Sequence, residues 1–130
     1  MLVGAQSPVA LLDVLCEHVA RDFSAEWAVV ADLDEPQLCA GFGPSPPLPW
    51  LQAFVAGSRA SARVAAGDAG PDDVAWAPLP STGLALVLSR PGTPIRARER
   101  RQAAALARIA DARCAELVVW RSRRNHPSNT

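Results

Sequence analysis

Residues 73–92 read DVAWAPLPSTGLALVLSRPG. Val74, Trp76 and Pro78 alternate with Ala75, Ala77 and Leu79, the two-residue period of a strand with unlike faces. Pro80-Ser81-Thr82-Gly83 then supplies turn residues, and Leu84 to Ser89 is one apolar run. A short run of that kind, bounded by turn signals, suits a central strand covered on both faces. The stretch therefore predicts an antiparallel hairpin with Leu84–Ser89 as its inner strand. Pro78 has no N–H to give to a ladder, which places it near a strand end or on an edge.

A second hairpin is expected upstream. Glu26 to Leu33 (EWAVVADL) ends in the turn signal Asp34-Glu35-Pro36, and Gln37 to Phe42 follows at once. Strands joined so tightly pair antiparallel. Gly43-Pro44-Ser45-Pro46-Pro47 breaks regular structure. Leu48 to about Ser61 then reads as a short helix, with Pro49 in its first turn and Trp50, Leu51, Phe54 and Val55 on its apolar face. Arg63-Val64-Ala65 reads as a brief edge strand, and Gly67 to Asp73 as an acidic loop.

Helices are expected at both ends. Ser7-Pro8 combines a favoured N-cap with proline at the first helical position, and Leu12, Leu15, Cys16, Val19 and Phe23 share one face of a helix over 8–23. Thr93-Pro94 repeats that start signal before a helix from about Ile95 to Arg121, whose stripe runs through Ala103, Leu106, Ala107, Ala110, Cys114, Leu117 and Val118. Its length, about 39 Å at 1.5 Å per residue, exceeds what one small sheet covers. The expectation is that Leu12, Leu15, Val19, Leu106, Ala110 and Leu117 form a homodimer interface of four helices.

The 130 residues make one domain, expected over 1–124, with a polar tail at 125–130. Apolar residues are 49% and charged residues 20%, a globular balance. Thirteen basic side chains, all arginine, meet thirteen carboxylates. A neutral chain is a poor fit to a nucleic-acid backbone or an anionic membrane. No apolar run reaches the ~20 residues of a membrane span, and Met1 to Ser7 lacks the pattern of a signal peptide. A cytoplasmic location is expected.

The segments EWAVVADLD, LCAGFGP, DVAWAPLPSTGLALVLSRPG and PIRARERRQAAALARIADARC together resemble the GAF domains of bacterial signalling proteins, over residues 8–118. The resemblance implies an α+β fold. A central antiparallel sheet of about five strands would carry the N- and C-terminal helices on one face and a short helix on the other. It implies small-molecule sensing without catalysis, with the signal passed to a separate partner protein. Gly43 to Asp73 is shorter than the region that forms much of the ligand pocket in GAF domains binding cyclic nucleotides or tetrapyrroles. The motifs that mark those ligands are absent.

Catalytic constellations are sparse. Of the two histidines, His18 lies among helix residues and His126 in the tail. No HExxH, GxxxxGK[ST] or GxGxxG occurs. Cys16, Cys39 and Cys114 form no CxxC pair, so they read as small buried apolar residues rather than as a disulfide or zinc set. Asp32, Asp34 and Glu35, like Asp68, Asp72 and Asp73, crowd turns without a cation-loop spacing. Gly41-Phe42-Gly43-Pro44 reads as a turn by which the chain leaves the sheet. The arginines of the last helix read as a solvent face pairing with Asp13, Glu17 and Asp22 of the first.

The tryptophans are the most informative residues. Trp27, Trp50 and Trp76 are expected on two strands and the middle helix, where the two readings are a pocket in which a planar ligand stacks and an ordinary core with aromatic corners. Trp27, Cys39, Phe42, Trp50, Phe54 and Trp76 are the candidate ligand-binding residues. The reading is a non-enzymatic, dimeric sensory domain. Its alternatives are a protein-interaction scaffold with a filled pocket and a cysteine-dependent redox enzyme.

Overall fold

Along the chain the elements are α1 (Pro8–Asp22), β1 (Trp27–Asp32), β2 (Gln37–Phe42), α2 (Leu48–Ala60), β3 (Val74–Leu79), β4 (Leu84–Ser89) and α3 (Ala97–Asn125). The computed structural model describes residues 7–32, 34–35, 37–60 and 73–125. The expected strand at Arg63–Ala65 and the tail beyond Asn125 lie outside them.

Both hairpins form, and they join through their longest apolar strands. The sheet runs β2-β1-β4-β3, with every neighbouring pair antiparallel. Among the described residues it has four strands. Leu84–Ser89 is central, as its continuous apolar run requires, and the Pro78-bearing strand is the outer member of its hairpin. Between β1 and β2 the register shifts at Val30/Ala31. Val30 opposes Ala40 and Ala31 opposes Leu38, so Cys39 is the extra residue of a bulge.

The pleat divides the apolar side chains between two faces. Ala28 and Val30 of β1, Leu86 and Leu88 of β4, and Ala75, Ala77 and Leu79 of β3 pack with α1 and α3. Trp27, Val29, Val74 and Val87 turn the other way, toward Leu51 and Val55 of α2. The domain is thus an α+β layering of a helix pair, an antiparallel sheet and a single helix.

α1 starts as its sequence dictates: Ser7 Oγ accepts the Ala10 N–H at 3.1 Å, and Pro8 opens the first turn. α3 starts differently from expectation. Thr93 N–H is bonded to Arg90 O in a turn, and the helix begins at Ala97. Glu99 reaches back to accept the Arg96 N–H at 3.0 Å, half of a capping box. The two terminal helices run antiparallel. Gln102 Nε2 donates to Asp22 Oδ2 at 3.3 Å at one end, and Cys114 Sγ lies 4.0 Å from Pro8 O at the other.

Two expectations about these helices are corrected. Leu12, Leu15, Val19, Ala110 and Leu117 are buried within the single chain, and Leu106 is half-buried against the same cluster. They are core, not a bare stripe awaiting a second subunit. The reason is the alanine content of the layer. Ala28, Ala40, Ala75 and Ala77 on the sheet and Ala103, Ala107 and Ala110 on α3 let both helices settle close to four strands. The charges also pair otherwise than expected. Glu17 pairs with Arg21 within α1 (3.2 Å) and Glu116 with Arg113 within α3 (3.9 Å), while Asp22 is held by an amide. These exposed pairs add little stability.

Candidate functional site

The chain leaves the sheet at Gly43, whose φ is +81°. A Cβ there would fall 2.2 Å from the Glu26 carbonyl oxygen, so only glycine permits this crossing. The proline-rich link then delivers α2, where Pro47 O accepts the Trp50 N–H at 3.0 Å. On α2, Leu51 and Val55 are one turn apart and fully buried against the sheet. Trp50 and Phe54, also one turn apart, form the adjacent stripe.

Their rings stack, with centroids 5.5 Å apart and planes 2° from parallel. Trp50 also meets Trp27 of β1 edge to face, at 6.3 Å and 86°. Both arrangements are favourable for aromatic quadrupoles. Trp27 is buried, whereas Trp50 leaves 40% of its surface exposed. Trp76, on β3, is half-buried and packs on the same cluster. Trp27, Phe54 and Trp76 belong to the apolar cluster beneath α2, and Trp50 borders it through its ring contacts.

Four of the six expected ligand residues therefore gather on the α2 face: Trp27, Trp50, Phe54 and Trp76. Cys39 and Phe42 do not join them. The bulge places Cys39 against the core beneath the terminal helices, and Phe42 is in register with Ala28, whose side chain belongs to that core. Phe42 is exposed on the edge strand. A polar residue of the α2 face was not foreseen. Ser89 stands across from Trp27 on one side and Val74 on the other, with the same alternation as Val87. It is 4% exposed. Strand parity in LALVLS would have found it, had the run been divided between its faces.

The other chemical candidates are occupied structurally. Asp32 Oδ1 accepts the N–H groups of Asp34 (3.0 Å) and Glu35 (3.1 Å), so this carboxylate shapes the hairpin turn. Among the described residues no cluster of His, Cys, Asp and Glu could hold a metal ion. Burial pushes the Cys16 thiol up to about 12, with Asp13 adding to the effect. Burial also raises Cys39, helped by Asp32, and Cys114, helped by Asp111. Thiols so shifted are poor nucleophiles at neutral pH. No helix among the described residues is long and apolar enough to cross a membrane. Compared with protein-family models, curated proteins and solved structures, the chain matches none.

Proposed function

We propose that this chain is a non-enzymatic, GAF-like regulatory domain that binds a small planar molecule between the sheet and α2. The observation that carries the reading is the Trp27–Trp50–Phe54 array. Two rings are stacked in parallel on one helix, and one of them keeps a large exposed surface next to a buried third ring. Such a surface takes a further aromatic ring at low conformational cost. The placement of both terminal helices on one sheet face and α2 on the other is the arrangement the resemblance implies, and it supports the same reading. The raised thiols weigh against the cysteine-dependent enzyme.

One observation favours a second reading. Leu51 and Val55 are fully enclosed between α2 and the sheet, so the space beneath the middle of α2 is filled by the chain itself. On that reading the exposed aromatic stripe is a protein-docking surface. Native mass spectrometry of the purified chain distinguishes the two. A retained small molecule that is lost on Trp50→Ala supports the sensor. A chain that binds no member of an aromatic metabolite library, in native spectra or by tryptophan quenching, rejects it.

A further inference from the structure

We infer that the ligand of the α2 face is an uncharged planar ring system with one hydrogen-bonding substituent, and that this group engages the Ser89 hydroxyl. The inference rests on the proposed binding site and names the chemistry of its occupant.

Ser89 ends β4, and its carbonyl oxygen accepts the Glu26 N–H at 2.8 Å. The hydroxyl is another matter: among the described residues it has no hydrogen-bond partner. Serine hydroxyls in interiors are ordinarily satisfied, because a buried unpaired polar group costs free energy. Every fully enclosed side-chain nitrogen or oxygen among the described residues has a partner. The Ser89 oxygen, which is not among those enclosed atoms, therefore reaches a small opening at the surface, although the residue as a whole is 96% buried. Sheet register sets that opening beside Trp27 and Val74, and Trp27 is in edge contact with Trp50. A spare donor and acceptor thus lies on the same side of the sheet as the aromatic array.

The surroundings set the charge of the occupant. Trp27, Trp50, Phe54, Val74 and Val87 are all uncharged side chains. The nearest cation in sequence, Arg90, is committed to Glu99 and to three backbone carbonyls on the helix-pair side. An ionised ligand would lose hydration there without finding a counter-charge. An uncharged ring stacks on the aromatic stripe, and a single hydroxyl, carbonyl or ring N–H satisfies Ser89.

The test uses 2-naphthol, naphthalene and 2-naphthoate as probes, with ligand-observed NMR titrations of the wild-type chain and of Ser89→Ala and Trp50→Ala. Expected is binding of 2-naphthol about three- to tenfold tighter than naphthalene, the worth of one neutral hydrogen bond. Ser89→Ala should bring 2-naphthol down to the naphthalene level, and Trp50→Ala should weaken both. If Trp50→Ala weakens both but Ser89→Ala leaves the preference intact, the role of Ser89 is overturned while the binding site stands. Tighter binding of 2-naphthoate overturns the uncharged class. Failure of all three probes to bind the wild-type chain overturns the site together with the inference. Circular dichroism of each variant confirms that it is folded.

Discussion

Arg90 and Glu99 form a two-pronged ion pair, with both N–O distances 2.7 Å. The guanidinium does more than pair. It also donates to the carbonyls of Phe23 (3.0 Å), Pro94 (2.6 Å) and Thr93 (3.4 Å). One side chain thus ties the end of α1, the loop after β4 and the start of α3. Such planar, charge-assisted bonds are the strong ones. Replacing Arg90 leaves Glu99 and these carbonyls with fewer donors. Arg90→Ala should lower unfolding free energy by about 2 kcal/mol, read by urea denaturation. Arg90→Lys should recover only part, since an ammonium cannot reproduce the fork.

The same pair fixes an acid dependence. The Arg90 side chain, the Arg96 N–H and nearby charge hold the Glu99 carboxyl down at about 2, from an ordinary 4.5. A group whose folded value is depressed contributes stability that is complete above its unfolded value. That contribution is lost as pH falls through the folded value. Stability should therefore decline from about pH 4.5 toward pH 2. In Glu99→Gln this share of the decline should be missing, with a lower plateau at neutral pH. Urea midpoints measured at half-unit pH intervals check it. Parallel curves for the two proteins would show that Glu99 does not carry the effect.

Asp111 is the other long-range tie. It lies on α3, is buried, and accepts the Ser81 N–H (2.9 Å), the Thr82 N–H (3.1 Å) and the Thr82 hydroxyl (3.0 Å). The carboxylate takes over donors at the β3–β4 turn and fastens that turn to the helix. Asp111→Ala should cost about 3 kcal/mol, because charge-accepting bonds are lost and two backbone donors remain. Thr82→Ala should cost less. The double variant should fall short of the sum, since both changes remove the Asp111–Thr82 bond. An additive double-mutant cycle would contradict the pairing.

Neither tie was legible in the chain, and the reason is physical. Periodicity reports which face of an element is apolar, so Val74–Leu79, Leu84–Ser89 and Gln37–Phe42 stood out, and their bounds agree with the structure. Long-range polar bonds leave no periodic trace. Asp111 sits thirty residues from Ser81 and resembles any helix carboxylate. Glu99 was hidden among arginines, which drew the helix start back to Thr93-Pro94. Part of the candidate site was visible for the same reason the strands were. Trp27 and Trp76 follow strand parity, and Trp50 and Phe54 follow helical spacing. Cys39 departs from that pattern because a bulge shifts parity without changing composition, whereas Phe42 lies in regular register with Ala28 and so belongs to the helix-pair side.

Gly43 offers a sharper steric test. Its left-handed φ of +81° and the 2.2 Å approach of a would-be Cβ to Glu26 O act together. Backbone cannot yield as a flexible side chain does. Gly43→Ala should lose more than about 2 kcal/mol, well beyond the usual glycine-to-alanine effect. Gly83 also has a positive φ, of +74°, but no atom lies within 4 Å of a Cβ there. Gly83→Ala should therefore cost about 1 kcal/mol, from the backbone conformation alone. Equal losses at the two sites in thermal melts would mean that the contact with Glu26 is unimportant.

The thiols should react in an order set by burial. With Cys16 pushed up to about 12, only about one thiol in ten thousand is ionised at pH 8. Cys16 and Cys114 are buried, and Cys39 is half-buried at the bulge. An aromatic disulfide reagent at pH 8 should modify Cys39 first. The other two should follow only as the chain opens, their rates rising with urea. Peptide mass mapping of the time course identifies each site. Rapid modification of Cys39, faster than a free thiol at the same pH, would restore the redox reading.

Leu15 decides between core and interface. It is fully buried among residues of α1, α3 and the sheet in a single chain. Leu15→Ala removes three carbons and leaves a cavity, so the loss should be about 3 kcal/mol. The size of that loss must be the same at every protein concentration if the side chain is interior to one subunit. Were it part of a subunit contact, dilution would shift the unfolding midpoint through mass action, and the variant would respond more steeply than the wild type. Urea titrations at two concentrations about a hundredfold apart make the comparison. A common shift of the variant at both places Leu15 inside the fold. A shift that grows on dilution would return it, and with it the α1 stripe, to an interface between chains.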